Sequence, residues 1–223
     1  MKQPLILSAV LAAGLSSQPV HAADSAHFEV TVTNLTRAQQ FTPILLASHK
    51  PGVRLFTLGQ PASSQLATVA EEGNITPLAT LLDADPRVLD ISNSGALLDP
   101  GESVTVRVRT RDGFDHLSLA SMLIPTNDGF IALNGVQGPK GDRTEARMSV
   151  AYDAGSERND ELCASIPGPS FVECGGPGGG GAPAGGEEGY VHVNAGIHGI
   201  GNFNEAERDW RNPVAQIVIR RVP

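Results

Sequence analysis

The chain has 223 residues, with 24 acidic against 16 basic side chains and a formal net charge of −8. That acidic balance argues against phosphate backbones and anionic membrane surfaces as partners, which sets nucleic-acid binding aside, whereas cations remain electrostatically welcome. The length suits one all-β domain, or two small ones, with enough chain to bury a real core.

At the N-terminus Lys2 precedes an apolar stretch over residues 5–15, then Ser16 to Pro19 and the small-residue step Val20-His21-Ala22. This pattern predicts a signal peptide over residues 1–22 with cleavage before Ala23, because the apolar run is shorter than the roughly 20 residues a spanning helix needs. A retained membrane anchor is the competing reading. Cleavage removes 22 residues, leaves 201, and takes the net charge to −9 as Lys2 is lost. The remaining chain is expected in a periplasm or outside the cell.

In residues 28–34, Phe28, Val30 and Val32 alternate with polar neighbours, the pattern of a half-buried strand. Residues 41–48 are an apolar run entered by Thr42-Pro43 and closed by the turn signal His49-Lys50-Pro51-Gly52, which predicts a second strand. Residues 63–72 place Leu66, Val69 and Ala70 at helical spacing, with Ser63 or Ser64 to cap the start and Gly73 to end it. A further helical turn over residues 76–82 stops before Asp85-Pro86. Val104, Val106 and Val108 alternate strictly with polar residues over 103–109, the clearest strand in the chain. Further strands are expected over 116–124, 129–133 and 215–221. Trp210 is read as a core plug more readily than as a partner anchor. Asn34-Leu35-Thr36 fits the glycosylation pattern, which matters only on a eukaryotic secretory route.

Cys163 and Cys174, with ten residues between them in a Gly/Pro-rich stretch, are expected to pair after export, closing a loop worth about 3 kcal/mol in the chain-entropy model. A thiolate metal site is the alternative, but no His or third Cys stands at finger spacing. The Gly-rich run over 175–181 is expected as an exposed loop; it lacks the Lys-Ser/Thr ending of a phosphate cradle. Together these elements describe a mostly β chain: an antiparallel sandwich with one short helix and long Gly/Pro-rich loops.

Three stretches, taken in order, resemble the spondin N-terminal domain, the module of F-spondin that also occurs in exported bacterial proteins. The first is residues 28–36 with Phe41-Thr42-Pro43 and His49 behind it, followed by a helix-bearing segment over 59–73. The second runs from Leu119 through Ser121-Met122-Leu123-Ile124-Pro125-Thr126-Asn127-Asp128-Gly129 to Phe130, and the third is Tyr152-Asp153-Ala154-Gly155-Ser156-Glu157. The resemblance covers roughly residues 27–221. It implies a C2-like β-sandwich that binds one calcium ion in loops at one end, through Asp128, Asp153 and Glu157. Two departures stand out: Gly129 replaces a common aromatic, which is expected to loosen that loop, and Glu157 is one methylene longer than the Asp of some members. The matrix and axon-guidance roles of the animal proteins are not implied.

The residues themselves are compatible with that ion. Calcium takes six to eight oxygens at about 2.3–2.6 Å, most readily from loops. Asp128 follows an apolar strand, and Gly129 is expected to let the backbone turn away there. Asp153 and Glu157 bracket Gly155 in a turn able to aim both at one point. From spacing alone, Asp128 and Asp153 better suit a role in bonding their own turns, and it is the resemblance that favours the ion. The rival constellation is His192 and Asn194 on one strand face, with His198 and His49 added, as a zinc or copper site or metalloenzyme centre. Glu187 and Glu188 read as a solvated strand entry. No nucleophile elbow, metalloprotease motif or paired-carboxylate cleft is evident. The expected activity is therefore calcium-assisted binding or adhesion toward a protein or glycan, rather than catalysis.

Overall fold

The computed structural model describes residues 26–223; the signal-peptide segment lies outside the described residues. In chain order the elements are β1 (His27–Asn34), β2 (Gln40–Phe41), β3 (Leu45–His49), α1 (Ser64–Glu72), α2 (Thr76–Asp83), β4 (Val88–Asn93), β5 (Ser103–Arg109), β6 (His116–Ile124), β7 (Gly129–Gln137), β8 (Thr144–Ser149), β9 (Ala151–Asp153), β10 (Ser170–Phe171), β11 (Gly176–Pro177), β12 (His192–Val193), α3 (Glu205–Arg208) and β13 (Ala215–Val222). Two antiparallel sheets face each other. One has the order β5-β1-β13-β8, and the other β12-β9-β7-β6-β3-β4 with β2 paired to β6.

The smaller sheet follows directly from alternation. Phe28, Val30 and Val32 of β1 point inward beside Val106 and Val108 of β5 and Ile217 and Ile219 of β13. Their polar neighbours form the outer face, where Glu29 sits between Arg107 and Arg220, and Thr31 and Thr33 bond across to Thr105 and Ser103. The first and last described strands are adjacent, closing the sheet through a contact that spans the chain.

The larger sheet is buried on both faces, so its central strands carry no alternation. Leu117, Leu119, Ile131 and Leu133 meet the smaller sheet, while Leu45, Ala47, Ala120, Phe130 and Ala132 pack beneath the helices against Leu66, Val69, Ala70, Leu78 and Leu82. The helix α1 forms as its sequence dictates: Ser63 accepts the Leu66 N–H, and Gly73, at φ +66°, ends the helix. The further turn expected after it is the full helix α2, entered through Pro77 near its start. The sandwich therefore carries two substantial helices plus the four-residue α3.

Three local expectations are revised. The run over 41–48 divides into β2 and β3 around Thr42-Pro43-Ile44. The Gly-rich run is packed rather than free: Gly179 N–H donates to the Cys163 carbonyl and Gly181 N–H to that of Ser165. A Cβ on Gly178 or Gly179 would overlap the Ile166 or Ala164 carbonyl oxygen, so glycine is what permits this approach. Cys163 and Cys174 form a disulfide, Cα–Cα 5.5 Å, that fastens this layer to the core. Asn34 is fully buried, and its amide donates to the Gln39 and Leu98 carbonyls, so in the folded chain it serves as a structural clamp rather than a glycosylation acceptor. Trp210 packs in the main core.

Candidate metal centre

The register of the larger sheet gathers three acidic or imidazole-bearing segments at one end. In the β6–β7 hairpin Met122 pairs with Phe130 and His116 with Gln137, so the turn carrying Asp128 lies at the end opposite His116. Gly129 pairs with Asp153, the last residue of β9, and Asp153 pairs with His192, the first of β12. His49 pairs with His116 and therefore sits at the far end, fully buried, with Nε2 2.9 Å from Ser118 Oγ and Nδ1 2.8 Å from the Lys50 carbonyl oxygen. Burial holds its imidazole below the usual range, as expected of a neutral core histidine.

Asp128 has no solvent exposure. One oxygen, Oδ2, accepts the backbone N–H groups of Ser156 (2.8 Å) and Glu157 (3.0 Å), so the turn expected to aim carboxylates at a common point first captures Asp128 with its amides. The other oxygen, Oδ1, is buried without a hydrogen-bond partner. Burial, reinforced by the charge of Asp153, pushes the Asp128 carboxyl up to about 7. Asp153 is equally buried, and burial raises its carboxyl too. Its Oδ1 accepts the Gly155 N–H (2.8 Å), the turn-bonding role open to it on sequence grounds; its Oδ2 accepts the side-chain amides of Asn159 (2.9 Å) and Asn194 (3.0 Å).

The loop around Asp128 is tight. Gly129 opens β7 and its N–H donates to Thr126 Oγ1; a Cβ there would stand 2.7 Å from that oxygen, so glycine serves close packing, not the loosening expected from the missing aromatic. Gly155, at φ +62°, is pressed against the Tyr190 backbone, and Gly189 N–H donates to the Gly155 carbonyl. This contact draws the segment bearing Glu188 and His192 over Asp153. His192 Nε2 lies 3.5 Å from Asp153 Oδ1 and 3.9 Å from Glu188 Oε2.

The structure thus brings Asp128 and Asp153 together and adds Glu188 and His192, while it turns Glu157 aside. The Glu157 carboxyl is directed toward the packed glycine run, with Oε1 against Gly181 and Oε2 buried without a hydrogen-bond partner; burial pushes it up to about 7, and the charges of Glu71 and Asp160 add to the rise. His198 is exposed and its backbone N–H donates to Glu161, so it joins neither His192 nor His49. Asn194, expected beside His192 on one face, donates to the same Asp153 that His192 approaches. Glu188 was legible in sequence only as part of an acidic turn; what recruits it is the pairing of β12 with β9.

These residues fit a divalent cation. Two buried carboxylates side by side repel each other, and a cation would supply both the missing charge and a partner for the Asp128 Oδ1 electron pair. A disulfide-tied antiparallel sandwich with an acidic loop end defines an exported-type, cation-compatible β module. The family model described as Spondin_N matches residues 24–157, and the chain belongs to that family. A search of curated proteins finds no match. Family and disulfide together mark an extracellular or secreted module. Among the described residues no helix is long and apolar enough to cross a membrane.

Proposed function

We propose that the protein is an exported binding or adhesion module whose loop end is stabilised by one calcium ion, and that it is not a catalyst. The observation that carries this reading is the buried, unpartnered Oδ1 of Asp128 beside the buried carboxylate of Asp153. An orphaned anionic oxygen is costly in a protein interior, so its retention points to a partner supplied from outside the chain. Asp128 and Asp153 are the residues that would hold the ion, with Glu157 swinging in from its glycine-run contact as a further oxygen donor. The bound ion supplies positive charge; the chain supplies the β6–β7 and 153–157 turns that it would lock together, and these turns present the surface for a protein or glycan partner. The signal-peptide pattern, family and disulfide support export, to a periplasm or beyond the cell.

The test is thermal unfolding of the metal-stripped protein with and without calcium, alongside Asp153→Ala. A ligand that binds only the folded state raises the midpoint, by about 2.7 kcal/mol of stability at a hundred times its dissociation constant. The expected result is a calcium-dependent rise in the parent that vanishes in the variant. No calcium response in the parent defeats the reading.

A further inference from the structure

His192 directs its Nε2 at two carboxylates. Its Nδ1 lies 3.0 Å from the Val193 carbonyl oxygen. A carbonyl only accepts, so Nδ1 bears a hydrogen, and Nε2 is the nitrogen left to face a cation. That Nε2 is buried without a hydrogen-bond partner, 3.5 Å from Asp153 Oδ1 and 3.9 Å from Glu188 Oε2. One ligand atom from each of Asp153, Glu188 and His192 lies within 4.8 Å of the others. One imidazole nitrogen and two carboxylates therefore converge on one point. Beneath them the fully buried Asp128 holds a second unpartnered atom, Oδ1.

The supporting contacts have the form found around metal ligands. The ring nitrogen of a ligating histidine that faces away from the ion donates to a backbone carbonyl, and a ligating carboxylate is held by amides. Here Val193 O takes the first role, and Asn159, Asn194 and the Gly155 N–H take the second. Glu188 and His192 are partly exposed, which leaves an entry path and a position open to water.

We propose that Asp153, Glu188 and His192 bind a borderline transition dication of the zinc class, in a position outward of Asp128 and separate from the calcium position, sharing only Asp153 with it. One imidazole nitrogen and two carboxylates with an open fourth place suit zinc, whereas calcium takes oxygens in larger number. Glu188 and His192 both lie beyond residues 24–157, so this site would be an addition by the chain's later half to what the matched region supplies.

The experiment titrates zinc into tag-free, metal-stripped full-length exported protein by calorimetry, and substitutes cobalt to read coordination from its visible absorption. The expected result is one equivalent of zinc bound by the parent, with affinity reduced at least tenfold in both His192→Ala and Glu188→Gln. Cobalt should give the intense bands of a four-coordinate site in the parent alone. Glu188→Gln, on an exposed turn, guards against a folding defect in the histidine variant. Both variants should retain any calcium-induced rise in midpoint, so failure of the calcium reading and failure of this one are separable. Absence of zinc binding in the parent, or zinc binding unchanged in both variants, overturns the proposal and leaves His192 as a neighbour of the two carboxylates with no metal role.

Discussion

Asparagine at position 128 removes one negative charge from a wholly buried site while keeping the side chain's shape. Burial and the Asp153 charge raise the Asp128 carboxyl from 3.8 to about 7, so between those limits the folded chain holds a proton that the unfolded chain has released. Stability of the metal-free protein should therefore fall as pH rises from about 4 to about 7. Over that interval, at about 1.4 kcal/mol for each tenfold change in proton concentration, the penalty is on the order of 4 kcal/mol above pH 7. Asparagine escapes it, and the figure is already net of the two bonds from Ser156 and Glu157, which favour the ionised carboxyl. In chelator at pH 8, Asp128→Asn should then be the more stable protein by about 4 kcal/mol, a midpoint roughly 8–16 °C higher for a chain of this size. At pH 4 the two should agree within about 1 kcal/mol. Saturating calcium should close that gap at pH 8 by stabilising only the parent. Calorimetric melts at both pH values, in chelator and in calcium, read all of this. A variant that is less stable than the parent in chelator at pH 8 would refute the reasoning, showing Asp128 to be a satisfied anchor for the turn.

Gly155→Ala should be more damaging than its size suggests, since φ +62° costs a non-glycine residue about 1–2 kcal/mol and the new methyl overlaps the Tyr190 carbonyl oxygen. Its midpoint should drop, and amide exchange over residues 188–193 should accelerate; unchanged exchange there would mean that the turn does not hold this segment. Reducing the Cys163–Cys174 bridge, or replacing both cysteines with alanine, should cost about 3 kcal/mol by denaturant unfolding, with proteolysis beginning within residues 164–189. Cleavage elsewhere in the chain would contradict the view that the bridge fastens the glycine layer.

Where one face of a strand is wet and the other is packed into the core, the local sequence determined the structure. β1, β5 and β13 are legible because burial on one side imposes a period of two on Phe28, Val30, Val32, Val106, Val108, Ile217 and Ile219, and α1 because Ser63 and Gly73 are its own caps. The disulfide needed only two cysteines close in sequence in a chain bound for export. Tertiary structure alone decided the rest. The larger sheet is covered on both faces at β6 and β7, which erases their alternation, while β4 and β9 carry no local signature, nor does β8, a mostly exposed edge strand of the smaller sheet. Asp128 and Asp153 were visible through their motifs, but their proximity comes from the pairing of Gly129 with Asp153. The Glu157 backbone N–H reaches Asp128, yet packing against the glycine run turns its side chain aside. Glu188 and His192 reach Asp153 only because β12 pairs with β9 across 39 residues, as measured from Asp153 to His192, and no local pattern encodes which distant strand will supply an edge.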